Sequence, residues 1–91
     1  SMGLTTTQKT RQIMENCFAV LAIEMVAGAQ ALDIRGGEPG AGVAAAHGVI
    51  RKHIDHLDED RPLYPDNDAM VALLESGELL EVVEDTIGVL D

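Results

Sequence analysis

Apolar positions recur at helical spacing along most of the chain, and no segment shows sustained alternation of apolar and polar residues. From Thr5 to Arg35 there is no proline, and Gly28 is the only interior glycine. Ile13, Cys17 and Leu21, and Met14, Phe18, Met25 and Leu32, follow the three-to-four-residue period of a helix. The threonines at 5–7 offer N-cap oxygens, and Gly36-Gly37 followed by Pro39 is a stop signal. The pattern predicts a helix over about 5–35. After the Gly36–Gly42 break a second helix is expected over about 41–57, with Val43, Ala46/His47, Ile50, Ile54 and Leu57 as its apolar stripe. A proline-bounded loop, Asp58 to Pro65, precedes a third helix over about 66–75, with Asp66 as N-cap and Asp68 near the positive end of its dipole. Ser76-Gly77 separates it from a fourth, about 78–89. There Leu79, Val83, Ile87 and Leu90 point one way, and Glu78, Glu81, Glu84 and Asp85 face solvent. The fold expected is all-α, one long helix and three shorter ones over residues 1–91.

The first helix is too large for its own domain. Thirty residues at 1.5 Å each make roughly 45 Å. A compact chain of this length has a radius of gyration of about 12 Å and a diameter of roughly 30 Å. Between Cys17 and Ile34, apolar residues occupy every side of the helix, broken only by Glu24, Gly28, Gln30 and Asp33. A helix apolar all round is buried all round, and the later segments cannot supply that cover. Other protein must, and Phe18, Val20, Leu21, Met25 and Leu32 are the residues expected to pack in a bundle or oligomer. A membrane span is disfavoured because Glu24 sits near the middle of a run without about 20 uninterrupted apolar residues. The first sixteen residues are polar, so no secretory signal is expected there.

Charge sharpens this division. Residues 1–45 carry a net −1 and residues 46–91 a net −9, for −10 overall. That balance argues against a nucleic-acid partner, which needs a cationic face, and against anionic lipid. With 46% hydrophobic residues the chain is no disordered acidic tail, and with 2% aromatics its core must be aliphatic and alanine-rich. One cysteine, Cys17, excludes an internal disulfide framework and suits a reducing, cytoplasmic setting.

Candidate chemistry is sparse. The loop Gly36-Gly37-Glu38-Pro39-Gly40-Ala41-Gly42 lacks the Gly-Lys-Ser/Thr ending of a phosphate cradle, and Glu38 would repel phosphate. It reads as a helix–helix connection. His53 and His56, with Asp55, Asp58, Glu59 and Asp60 near, match no strong zinc spacing and read as a solvated helix end, so no metal is expected. His47 reads as a packed, hydrogen-bonded histidine, and Cys17 as a packed, inert thiol without a basic neighbour on its C-terminal side. Glu24, a carboxylate amid apolar residues, calls for a partner from a neighbouring helix. No Ser/His/Asp order, CxxC pair or HExxH stands in the chain. No catalytic residue is assigned.

Two anchors carry a family resemblance. Ser1-Met2-Gly3, Glu15-Asn16, Val20-Leu21-Ala22-Ile23-Glu24 and Leu32-Asp33-Ile34-Arg35 resemble the C-terminal region of histidine ammonia-lyases, of the aromatic amino acid ammonia-lyase family. Leu57-Asp58-Glu59-Asp60-Arg61-Pro62-Leu63-Tyr64-Pro65-Asp66 and the short helix with Ser76-Gly77 look like the same family's tail. The resemblance implies a mostly helical, tetrameric enzyme built round long helices, eliminating ammonia from histidine to give urocanate. Phenylalanine or tyrosine lyases and aminomutases are the nearest alternatives. It also implies a methylidene-imidazolone electrophile formed from Ala-Ser-Gly, which this chain lacks: its only Ser-Gly follows Glu75. The family's tyrosine, asparagine and arginine site residues are expected upstream, with a site glutamate a few residues before Ser1-Met2-Gly3. Those three residues are therefore expected near the family's active site. The resemblance makes this chain a C-terminal structural and oligomerisation part, inactive alone, whose partners are the remainder of the lyase and sister subunits. A second reading is an acidic all-helical interaction module without enzymatic activity.

Overall fold

Four helices and no strand make up residues 2–89, the part of the chain that the computed structural model describes. The all-α expectation holds, with one long helix first. Helix α1 is Met2–Arg35, α2 Ala41–His53, α3 Tyr64–Ser76 and α4 Glu78–Ile87. At 1.5 Å per residue α1 is about 51 Å long, and the molecule's longest axis is 53 Å.

Helix α1 starts ahead of Thr5–Thr7, so these threonines are not caps. The hydroxyls of Thr6, Thr7 and Thr10 donate to the carbonyls of Met2, Gly3 and Thr6, each at 2.9 Å. Inside a helix the nearest free acceptor for a threonine hydroxyl is the carbonyl four residues back, and no unpaired N–H is in reach. The helix stops where expected, at Gly36 and Gly37, whose φ angles of 72° and 85° are left-handed.

Helix α2 ends four residues short of the expected boundary. Ile54 leaves the helix in an extended conformation (φ −133°, ψ 118°) and is buried, 2% exposed. Ile54 and Leu57 thus leave the expected helical stripe for the loop. Helix α3 begins two residues early, at Tyr64, with Leu63 at the cap position and Pro65 in the first turn, where a missing N–H costs nothing. Asp66 is inside that turn rather than capping it, and it accepts hydrogen bonds from Arg61 Nε and Nη2 at 3.2 and 3.1 Å. In α4 Leu79 is buried and Val83 half-buried, while Ile87 is 49% exposed. Glu78 pairs with His53 instead of facing solvent alone. Leu90, expected on the same face, lies outside the described residues.

Gly77 joins α3 to α4 at φ 79°. Its N–H bonds to Leu74 O at 3.3 Å and its carbonyl accepts from Glu81 N at 3.0 Å, so one residue closes one helix and opens the next. Nothing lies within 4 Å of an added Cβ there, so the cost of a side chain is the backbone conformation alone. Gly77→Ala should lower unfolding free energy by roughly 1–2 kcal/mol. A urea midpoint equal to the wild type's would contradict this.

Helix α3 packs along α1 and α4 along α2, and the two pairs meet mostly through α3, with the end of α1 also touching α2. The core is Ala22 and Ala29 of α1, Val49, Ile50 and Ile54, Met70 and Leu73 of α3, and Leu79 of α4. It holds no aromatic residue. Ala22 and Ala29 stand two turns apart on one face, and their small side chains let the facing helix come close. Where α2 meets α4, a Cβ on Gly42 would lie 3.3 Å from Ile87 Cδ1, so glycine permits that approach.

This core does not reach the first half of α1. Residues 2–17 are all exposed, which corrects the expectation of a packed Cys17: Glu75 at the end of α3 lines a shallow pocket with Thr10 and Met14 but does not bury this stretch. The radius of gyration is 15.4 Å, against about 12 Å for a compact chain of this length. The accessible surface is 6571 Å², about 1,400 Å² more than a compact monomer of this mass presents.

Candidate interaction surface and polar clasp

Two features lie along the second half of α1: a polar clasp on its inner side and an uncovered apolar face outside. The clasp begins at Asp33. Arg51 of α2 donates to Asp33 Oδ2 from Nε at 3.0 Å and from Nη2 at 2.6 Å, and His47 Nε2 donates to Oδ1 at 2.8 Å. Residues 47 and 51 are one turn apart on α2, so both reach the same carboxylate. A third arm of Arg51, Nη1, donates to Ile54 O at 3.2 Å and holds the chain where it leaves α2.

One turn earlier on α1, Gln30 grips the following loop. Its Oε1 accepts from Leu57 N at 3.1 Å, and its Nε2 donates to Leu57 O and His56 Nε2, both at 3.1 Å. His56 Nδ1 donates to Asp58 at 2.8 Å. A carboxylate only accepts, so the Nδ1–H tautomer leaves Nε2 free to accept from Gln30. Arg61 completes the loop by donating to the carbonyls of His56 and Asp55 at 3.1 and 2.7 Å. The loop's acidic sequence is thereby pinned to α1 through backbone atoms.

Arg51 holds the Asp33 carboxyl below its ordinary value of 3.8, with His47 adding to the effect and partial burial opposing it. A depressed folded-state value means that the ionised clasp favours folding above the ordinary aspartate value. That contribution is lost as pH falls through the lower, folded-state value. The melting temperature of wild type should exceed that of Asp33→Asn near neutrality, and the gap should close under acid below pH 3.8. A gap that persists unchanged into acid would contradict the clasp.

His53 and His56 do not converge. His53 Nε2 lies 3.0 Å from Glu78 Oε2 on α4, and His56 turns to Asp58 and Gln30. Among the described residues no three His, Cys, Asp or Glu side chains gather into a metal-holding group. His47 is half-buried and hydrogen-bonded through Asp33. The segment 36–40 connects α1 to α2. Ser76 donates from Oγ to Leu73 O at 2.7 Å and accepts from Glu78 N at 3.2 Å, so the only Ser-Gly pair serves the helix junction.

The residues singled out for bundle packing divide between faces. Phe18, Met25 and Leu32 are half-buried, whereas Val20 and Leu21 are 55% and 42% exposed. Ile13, Met14, Ile23 and Ile34 are exposed beside them. Glu24 is exposed and has no hydrogen bond or ion pair among the described residues, so the neighbouring-helix partner expected for it is not among them. It stands at the rim of an apolar groove floored by Met25, Ala29, Ala46, Ile50, Val83 and Ile87. By length and composition α1 could cross a membrane, but the clasp commits its last two turns to polar segments. At its start Met2 is 89% exposed and Gly3 is also exposed; Ser1 lies outside the described residues.

Comparison with known proteins gives the chain's relatives. The family described as aromatic amino acid lyase matches residues 1–52. The histidine ammonia-lyase of Sorangium cellulosum is 46% identical over 92 aligned residues, covering 100% of this chain and 18% of its own length. Those of Gloeobacter violaceus and Symbiobacterium thermophilum are 45% and 42% identical with the same coverage. No solved structure matches the chain. The chain spans less than a fifth of the length of these relatives, and it belongs to the aromatic amino acid lyase family.

Proposed function

We propose that this chain is the C-terminal structural part of a histidine ammonia-lyase, which turns histidine into urocanate and ammonia, and that its work is packing and assembly. The observation that carries this reading is the uncovered apolar face of α1, with Val20 and Ile23 each 55% exposed over a helix longer than its own core. A chain that ended its packing here would leave those side chains in water. In this reading the remainder of the lyase and sister subunits cover them, in the cytoplasm, and Ser1-Met2-Gly3 lies near the active site. Protein suits that face better than lipid because Glu24 stands in it and the opposite side of the same helix end is committed to the polar clasp. A net charge of −10 disfavours nucleic acid as the partner.

The family's methylidene-imidazolone does not fit this chain. The sequence has no Ala-Ser-Gly, and the Ser76 hydroxyl is already engaged at the α3–α4 junction. Without an electrophile, scattered histidines and carboxylates supply only a small part of the stabilisation that the elimination needs. The isolated chain should therefore give no urocanate absorbance from histidine. The complement for the test is the Sorangium cellulosum enzyme with its matching segment deleted. Adding the 91 residues should raise its turnover. Turnover by this chain alone would overturn the proposal, as would a complement that works at full rate without it.

A further inference from the structure

Beyond being uncovered, the outer face of α1 has an order. Ile13, Cys17, Val20, Glu24, Ala27 and Ala31 follow one another in alternating steps of four and three residues, and Ile34 continues the series. That is the spacing of a seam that packs against one other helix along its length. These residues lie about 120–180° around α1 from the buried Ala22, and all are exposed, Ile13 by 62% and Ile34 by 76%. From Ile13 to Ile34 the seam runs about 32 Å. The surface in excess of a compact monomer, about 1,400 Å², is more than the roughly 800 Å² that one partner contributes to a stable interface. One polar residue breaks the seam. Glu24 sits at a core position near its middle, with no partner among the described residues.

We infer that this seam docks a different long helix, one that presents a lysine or arginine in the layer facing Glu24. The inference rests on the scaffold reading above and names the contact within it. A second copy of α1 does not meet the requirement. The seam carries no Lys or Arg, so two copies paired antiparallel set Glu24 against an apolar position, and two paired parallel and in register set it against its twin. Burying a carboxylate without a cation is strongly unfavourable, and so Glu24 selects against the homotypic pair. A partner helix with a cation at that layer is both accepted and held in register, because a single polar core residue fixes the alignment of two helices. Small residues at 27 and 31 let the partner approach closely at one end, and Val20 and Ile13 fill the other.

The test measures binding of the 91-residue chain to the Sorangium cellulosum enzyme lacking its matching segment, by titration calorimetry. Glu24→Lys should weaken binding at least about 30-fold, as loss of a buried charge pair does, and Glu24→Gln by less. Val20→Asp should weaken it comparably, and far-ultraviolet circular dichroism should be unchanged because both side chains are exposed. In the chain alone, Glu24→Leu should strengthen self-association at least tenfold by removing the carboxylate from the homotypic layer. If Val20→Asp weakens binding and Glu24→Lys does not, the cation is wrong and the scaffold reading stands. If neither variant matters although wild type binds, the seam is wrong and the scaffold reading again stands. If wild type does not bind at all, both fall.

Discussion

Met70→Ala should leave the isolated chain largely unfolded. Met70 is fully buried, at 0% exposed, in a core of eight buried side chains among the described residues. Its helix, α3, makes most of the packing between α1 and the rest, beside the polar clasp to α2. Truncating a buried methionine costs about 2–5 kcal/mol, through lost transfer free energy and the cavity left behind. A domain of this size with one small core has a total stability on the order of 5 kcal/mol, so a single such loss consumes most of it. Thermal unfolding followed by circular dichroism at 222 nm should show the midpoint falling by tens of degrees or the transition vanishing. Ile13→Ala, on the exposed part of α1, is the control and should move the midpoint by a few degrees at most. Equal midpoints for Met70→Ala and wild type would mean that the core described here does not hold the fold.

The sequence-based reading reached furthest where the signal is local. Gly36-Gly37 and Gly77 marked helix ends because a left-handed residue closes a helix and glycine adopts it freely. The apolar period located four helices, since burial of one stripe is what forms them. The boundary errors have local causes too. Arg51, Lys52 and His53 form the last turn of α2 and suit its dipole, while the acids that follow, Asp55 onward, would oppose it. That reversal of charge was a legible stop, and the apolar match of Ile54 and Leu57 overrode it. Pro65 likewise signals a first turn and favours a start at Tyr64 over Asp66. Thr5–Thr7 misled because a cap residue and a residue bonding back inside a helix look alike in sequence.

The clasp was not legible, for a different reason. Asp33 and Arg51 are eighteen positions apart, and Gln30 and Leu57 twenty-seven. Nothing in the spacing tells which residue of the first helix meets which turn of the second, because that depends on how the connecting loop folds back. Gln30 and Asp33 were visible only as breaks in an apolar run. The breaks turn out to be of two kinds. Gln30 and Asp33 are satisfied from within the chain, and Glu24 has no partner among the described residues. A polar residue in an apolar helix therefore gave the position of a contact, and only the fold told whether the contact was internal.

The isolated chain should not behave as a stable monomer. Val20, Leu21 and Ile23 expose 55%, 42% and 55% of their surface, with Ile13, Met14 and Ile34 beside them. Glu24 weakens this association without abolishing it: fully burying one such side chain contributes on the order of 1.5–3 kcal/mol, so partial burial of half a dozen on each of two chains outweighs the lost freedom of two bodies. The repulsion between chains of charge −10 opposes this only weakly at the contact, because residues 1–45 carry a net −1 and the acids are concentrated in residues 46–91. Self-association should accordingly strengthen with added salt, which screens the distant acids without touching apolar burial. Sedimentation equilibrium at tens of micromolar should give a mass well above 9.7 kDa. Val20→Asp and Ile13→Asp should each lower the association constant by at least about tenfold, since each places a charge on an exposed surface that association would desolvate. The stated reading of the long helix fails if wild type sediments as a compact 9.7 kDa species at those concentrations, or if neither charged variant changes the measured mass.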